Sequence, residues 1–331
     1  MLVVLCFGLA TLIGRLTDGG SSAATTPAPA TSQAPAPRKS RAAAGRSKSK
    51  RRSTTKLPIN QTGAVLRSGA ADSFSAFARS QPGRIGIAVH PVGVGQEITL
   101  GDDQPAHGWS TTKPLVVAAL LKATAAHGGL TESQREEANA AITISDNQSI
   151  IDLFDDLGAL EGGPAAAAQA MDRLLRDSGD TRTVVATSRD IPAGASTTFG
   201  QTLWAPKQAA QFYAALGAGC LISRADTNYL LGLMQHIEAS ESWGLGSAGF
   251  KSVAFKGGWG PQNGDFDLYL VRQSGVIDPG TPYAVAVSIV AHPPRSARSF
   301  EIGTEMVTAT ARWLAKELTH LRRASRSCKA M

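Results

Sequence analysis

The chain has few of the residues that bind metals or span membranes. It contains three cysteines and six histidines, and they show neither a Cys-x-x-Cys pair nor the spacing of a zinc site. We therefore expect no metal and no cofactor. The apolar run over residues 1–13 is shorter than the ~20 residues that cross a bilayer. That length is typical of the apolar part of an export signal.

Acidic and aromatic residues are absent from residues 25–56, a stretch of Ala, Pro, Ser, Thr, Lys and Arg. Residues 1–66 carry a net charge of +9 and the remainder carries −2, which together give the chain's +7. Nucleic-acid binding favours a folded basic face with interleaved aromatic residues, so no nucleic-acid role is expected. The composition fits two roles for residues 38–56: contact with anionic lipid or a cell-wall polymer, or a solvated tether.

These features divide the chain into four parts. We predict an export segment over residues 1–20, a disordered linker over 21–66, one folded domain over 67–321 and a basic tail over 322–331. No internal repeat is visible, and a monomer is expected. Cys220 and Cys328 are interpreted as free, because Cys328 lies in the polar tail.

A Ser-x-x-Lys motif, Ser110 to Lys113, stands before an apolar run over residues 114–126 that is typical of a buried helix. Positions three apart on a helix share a face. A lysine whose pKa is lowered by burial can take the proton of a neighbouring serine, which makes the hydroxyl a nucleophile. The alternative is a surface serine beside a solvated lysine.

Two further motifs follow in order. Ser-Asp-Asn at residues 145–147 leads into a helix, and Lys-Gly-Gly at residues 256–258 follows a strand-like run over 252–255. Taken alone, the first of these is more typical of a helix N-cap, because Ser, Asp and Asn are the preferred capping residues. The order of all three motifs indicates acyl transfer through a serine.

Together the motifs resemble those of the class A β-lactamases and penicillin-binding proteins, class A most closely, over roughly residues 83–320. The resemblance implies an α/β fold of the α+β type, with a five-stranded antiparallel sheet flanked by helices and an all-helical lobe. It assigns proton delivery to Ser145, substrate hydrogen bonding to Asn147 and an oxyanion-binding N–H to Trp259. The implied site is catalytic Ser110, Lys113, Ser145 and Lys256, with substrate-binding Asn147, Gly257, Gly258 and Trp259.

Two departures from the family pattern stand out. The family has Thr or Ser after the motif lysine to hold the substrate carboxylate, where this chain has Gly257. The glutamate that activates the deacylating water in class A enzymes is also missing, with Thr187 near its place. Asp190 is a candidate replacement, and a turn or capping role before Pro192 is the alternative.

Elsewhere the pattern predicts a hairpin from residues 84–90 and 97–100, three successive strands ending with 267–271 and 283–290, and helices over 163–176, 206–216 and 300–321, the first two in the helical lobe.

We therefore expect an exported, extracytoplasmic serine hydrolase that forms an acyl-enzyme on Ser110. Its expected substrate is a small β-lactam or the D-Ala-D-Ala end of a peptidoglycan stem, with slow deacylation. The alternative is a non-catalytic penicillin-binding or wall-associated pseudoenzyme.

Overall fold

The computed structural model describes residues 65–187 and 195–325 together with Cys328. The predicted export segment, nearly all of the linker, the basic segment 38–56 and Asp190 lie outside the described residues. Within the described ranges, no helix combines the length and apolar character needed to cross a membrane.

A five-stranded antiparallel sheet forms the centre of the fold, in the spatial order β2-β1-β7-β6-β5. Its strands are β1 (Arg84–Pro91), β2 (Ile98–Gly101), β5 (Val253–Gln262), β6 (Asp265–Ile277) and β7 (Val285–His292). The predicted hairpin pairs β1 with β2, and β5, β6 and β7 form the predicted meander. The sheet and its antiparallel pairing confirm the predicted fold class. A separate two-stranded ribbon pairs β3 (Ala106–His107) with β4 (Leu203–Trp204).

Helices cover both faces of the sheet, which explains why strands β1 and β7 are buried at almost every position rather than at alternate ones. One face packs on α1 (Ala70–Arg79) and α8 (Ser299–Glu317). The other packs on α6 (Pro206–Gly217); the segment is helical as predicted, but it covers the sheet, whereas the prediction placed it in the helical lobe.

The helical lobe is built around α2 (Lys113–Thr124), which is buried at every position from Lys113 to Leu121. A helix that is apolar all round lies inside a protein. The surrounding helices are α3 (Glu132–Thr143), α4 (Asn147–Glu161), α5 (Pro164–Asp177) and α7 (Arg224–Gln235). Because α2 begins at Lys113, the lobe fixes the place of the first motif.

The predicted domain boundaries at residues 67 and 321 are too narrow. Val65 and Leu66 are buried in the core, and Leu66 pairs with Leu318 in an antiparallel bridge. This pairing requires extended backbone, so α8 ends at Glu317 and not at the predicted residue 321. Arg323, in the predicted tail, is also buried and donates to the carbonyl oxygen of Tyr283 at 3.0 Å.

Cys220 and Cys328 form a disulfide, with their Cα atoms 5.2 Å apart, so the interpretation of both as free thiols is wrong. The bond joins residues 108 positions apart. Sequence distance gives no information about such proximity, because it arises from the path of the C-terminal chain back over the domain.

Two glycines let edge strand β5 approach the helical lobe closely. A Cβ atom on Gly258 would lie 2.8 Å from the backbone nitrogen of Thr111 and 2.9 Å from that of Ser110. A Cβ atom on Gly260 would lie 2.3 Å from ring carbons of Trp109. At these two positions β5 therefore contributes only backbone atoms to its contact with the turn of the first motif.

We expect Gly258→Ala to lower the free energy of unfolding by about 1–3 kcal/mol, because backbone atoms must move to admit the methyl group. Gly232→Ala in α7 is the matched control: nothing lies within 4 Å of its added Cβ, and Ala is the better helix former. Thermal unfolding of both variants checks this. Equal melting temperatures would contradict the close approach of β5.

Cys220→Ser should lower the free energy of unfolding by about 2–4 kcal/mol, because the disulfide limits the freedom of the unfolded chain. Denaturant unfolding of the oxidised protein measures the change. Cys328→Ser should match it, and the double variant should add nothing further. If the two single variants lost different amounts of stability, the lost disulfide would not explain the loss.

Candidate functional site

Ser110 lies in a 3₁₀ turn over Trp109–Thr112 that continues directly into α2. The Thr112 hydroxyl donates to the carbonyl oxygen of Trp109 at 2.7 Å, and the Tyr213 hydroxyl donates to that of Thr111 at 2.8 Å. Tyr213 is fully buried, and burial raises the pKa of its hydroxyl. Ser110 Oγ donates no hydrogen bond to another described residue. The turn is thus fixed while the hydroxyl proton stays available.

The Lys113 side chain is buried and points toward the second motif. Its Nζ donates to the carbonyl oxygens of Ser145 and Asp146, the latter at 3.0 Å, and to Asn147 Oδ1 at 2.9 Å. Ser145 Oγ lies 3.3 Å from the same nitrogen. Lys113 therefore joins the first and second motifs, as the predicted site requires.

The pKa of Lys113 is lowered to about 7, chiefly by burial and also by the positive charge of Lys256, while Glu241 and Asp146 oppose the shift. The oxygen acceptors also favour the ammonium form. A lysine with a pKa near neutrality can exchange its proton at physiological pH, which is the property that a general base needs.

Within the second motif the three residues have different contacts. Asp146 is the N-cap of α4 and accepts hydrogen bonds from the backbone nitrogen and hydroxyl of Ser149, both at 2.7 Å. These bonds lower the pKa of Asp146. Ser145 and Asn147 contact Lys113 instead. The N-cap interpretation of the motif thus applies to Asp146. The side chains of Ser145 and Asn147 are not used for capping and remain candidates for the site.

The backbone is strained at both motifs. Trp109 has φ 47° and Ser145 has φ 60°, in the left-handed region that residues with side chains rarely adopt. Each such residue costs about 1–3 kcal/mol and persists only where its surroundings fix it. Strain of this kind is concentrated at functional sites, which is an indication independent of the motifs.

Lys256 of the third motif is fully buried on β5, and its Nζ lies 3.0 Å from Oε2 of Glu241. Glu241 ends a short 3₁₀ turn over Ala239–Glu241. Burial lowers the pKa of Lys256, and the charge and hydrogen bond of Glu241 oppose the shift. The lysine charge therefore already has a counter-ion.

The space beside Gly257 is occupied by an indole ring. A Cβ on Gly257 would lie 3.1 Å from Cζ2 of Trp243. Trp243 and Trp259 meet edge to face with ring centres 6.1 Å apart, and Phe300 packs on the other side of Trp259. An aromatic wall thus lies where the resemblance places a hydroxyl side chain.

The structure brings together Ser110, Lys113, Ser145, Asn147 and Lys256 with the glycines of β5. Glu241, Trp243 and Ser196 are neighbours that the sequence analysis missed; Ser196 Oγ accepts from Asn147 Nδ2 at 3.1 Å. Only one signal pointed to Glu241, namely that a buried lysine needs a partner.

The residues expected to serve deacylation are less fully described. Asp190 lies outside the described residues. Thr187, near the expected glutamate position, lines a cavity of about 520 Å³ together with Asp155 and Ser196.

No protein-family model matches this sequence, and no curated protein matches it. Several solved structures do match the fold. The chromosome-encoded β-lactamase of Vibrio parahaemolyticus is 17% identical, with a TM-score of 0.56 over 75% of this chain and 98% of that one. The class A β-lactamase of Mycobacterium abscessus is 20% identical, with a TM-score of 0.55 over 75% of this chain and 98% of the other.

A reconstructed ancestral class A β-lactamase is 21% identical, with a TM-score of 0.57 over 75% of this chain and 98% of its own. At these identities the likeness concerns the three-dimensional arrangement, and this chain has the fold of class A β-lactamases.

Proposed function

We propose that this protein is a serine hydrolase that forms an acyl-enzyme on Ser110 with a β-lactam, a D-Ala-D-Ala-like amide or a related ester. The observation that carries the proposal is the position of Lys113. It begins the helix that follows the Ser110 turn, it is buried, and its Nζ lies 3.3 Å from Ser145 Oγ. The nitrogen thus contacts the Ser145 hydroxyl directly, and Ser110, three positions before Lys113 along the turn and helix, is the hydroxyl whose proton it would take.

Acylation follows from this arrangement. Neutral Lys113 takes the proton of Ser110 as Oγ forms a bond to the substrate carbonyl carbon. The N–H groups of Ser110 and Trp259 stabilise the oxyanion, in keeping with the contact between Gly258 and the Ser110 turn. As the bond to the leaving nitrogen breaks, Ser145 gives that nitrogen its proton and is reprotonated by Lys113.

Deacylation is expected to be slow. The carboxylates that act on the charge of Lys113 are those of Glu241 and Asp146. Glu241 is paired with Lys256, and Asp146 caps α4. Neither is free to activate a water molecule. Asp190, the other candidate base, lies outside the described residues. Loss of a general base costs about 10²–10⁴ in rate.

Export is part of the proposal. The disulfide between Cys220 and Cys328 supports it, because such bonds persist in oxidising compartments. In that setting a small β-lactam or a peptidoglycan stem is an available substrate, and residues 38–56 would contact anionic lipid or wall polymer.

The second candidate is a non-catalytic wall-associated protein. The pairing of Lys256 with Glu241 favours it, since that pair removes a charge that the family uses on its substrate. Covalent chemistry at Ser110 separates the two candidates.

Ser110→Ala should abolish covalent labelling by a penicillin that carries a fluorophore on its side-chain amide, supplied as the free acid or as its methyl ester. Wild-type protein should gain the mass of one penicillin molecule and keep it for minutes, since deacylation is slow. Intact mass spectrometry follows the adduct on wild type and on Ser110→Ala. Absence of an adduct from wild type with either form would favour the non-catalytic candidate, and an adduct on Ser110→Ala would contradict the assignment of the nucleophile.

The acylation rate should rise about tenfold per pH unit below pH 7 and level off above it, because only the neutral Lys113 amine accepts a proton and its pKa is about 7. Lys113→Ala should slow acylation by about 10²–10⁴ and remove this dependence. Lys122→Ala, an exposed lysine of the same helix, should change neither. A flat wild-type profile would place the base elsewhere.

A further inference from the structure

We infer that the site selects acyl donors with no carboxylate beside the scissile bond, so its preferred substrates are uncharged esters or amides. The inference rests on the proposed function and narrows its substrate class to esters and uncharged amides, which disfavours β-lactams and D-Ala-D-Ala ends in their free-acid form. It is carried by three observations on the third motif and the loop that covers it.

The first observation is the burial of the only charge that β5 offers. The Lys256 side chain is 0% exposed, and its Nζ is paired with Glu241 at 3.0 Å. A substrate carboxylate can reach a cation only where the cation is open to solutes. To meet Lys256, an anionic substrate would have to displace Glu241 and its own hydration shell, and both steps cost free energy.

The second observation is the absence of a hydroxyl at Gly257. The adjoining space belongs to the Trp243 ring, whose Cζ2 atom would lie 3.1 Å from a Cβ at that position. An indole ring offers one N–H donor and an apolar face. That surface suits an ester alkyl group or a neutral side chain better than an anion, which must stay hydrogen-bonded when it leaves water.

The third observation is that this loop is anchored. Gln273, buried on β6, donates to the carbonyl oxygen of Trp243 at 2.8 Å and accepts from the backbone nitrogen of Leu245 at 2.7 Å. The Thr308 hydroxyl of α8 accepts from the backbone nitrogen of Gly244 at 2.9 Å. These bonds hold the segment beside Glu241 against β6 and α8, so displacing Glu241 would disturb a fixed structure.

The charges that face the site agree with this reading. Lys256 and Glu241 cancel each other, and Lys113 must be neutral to act as a base. Asp146 contributes a negative charge that acts on Lys113. Arg272, opposite Gly258 on β6, is fully buried and donates to backbone carbonyl oxygens of the β3–β4 ribbon. No exposed, unpaired positive charge is thus left among these groups to attract an anion.

The test compares one penicillin as its free acid and as its methyl ester, with acylation of Ser110 in the full chain followed by intact mass. A site that recognises the carboxylate loses rate when the carboxylate is esterified. Here the ester should acylate wild-type protein at least as fast as the acid. A faster reaction of the acid would overturn the inference and leave the proposed function standing; no reaction with either would refute the proposed function itself.

Glu241→Gln tests the residue directly, because it removes the counter-ion and keeps the shape. The ester-to-acid rate ratio should fall about tenfold, since one hydrogen bond to a charged group becomes available to the acid. Glu238→Gln, an exposed acid three residues earlier, should leave the ratio unchanged. If Glu241→Gln protein melts like wild type and its ester-to-acid rate ratio is unchanged, the role of Glu241 is overturned. If that variant does not fold, the ester-to-acid rate ratio of wild-type protein still tests the inference.

Discussion

The burial of the Lys113 ammonium group is the constraint on which the site depends. Taking a charged amine out of water costs several kcal/mol unless oxygen atoms replace the lost hydration. The loop between α3 and α4 supplies those atoms as carbonyl oxygens and the Asn147 amide. To present them, Ser145 adopts a left-handed backbone conformation, and Asp146 holds the loop by capping α4. The geometry of the second motif is thus set by the charge of the first.

The same constraint applies again on β5 and is met differently. Lys256 is as deeply buried as Lys113, but its partner is a carboxylate. Burial lowers the pKa of both lysines, but a carboxylate in direct contact favours the ammonium form more than neutral oxygens do, and only Lys256 has such a contact. The two lysines therefore differ in chemistry because of their partners. Lys113 suits proton transfer, and Lys256 fixes the loop of Glu241 against the sheet.

The fold shared with class A β-lactamases is a scaffold, and function depends on the residues placed upon it. The glycines of β5 bring that strand to the Ser110 turn, which is the approach that the proposed acyl transfer needs. The substrate side of the cleft is altered by Trp243 and Glu241. In the proposed function, Ser110 and Lys113 would therefore act as nucleophile and base beside a substrate surface formed by Trp243 and the Lys256–Glu241 pair.

The sequence determined what depends on short spacing. Apolar periodicity predicted the strands of the sheet and helices α5, α6 and α8, and the Ser-x-x-Lys motif placed Ser110 one turn before Lys113, its proposed base. Helix α3 was missed although Thr131 and Gln134 form its capping box, a readable local signal. Tertiary structure alone decided the Glu241–Lys256 pair, the Asn147–Ser196 contact, the disulfide and the ends of the domain. Those contacts join segments whose proximity depends on how whole elements pack, and no local pattern carries that information.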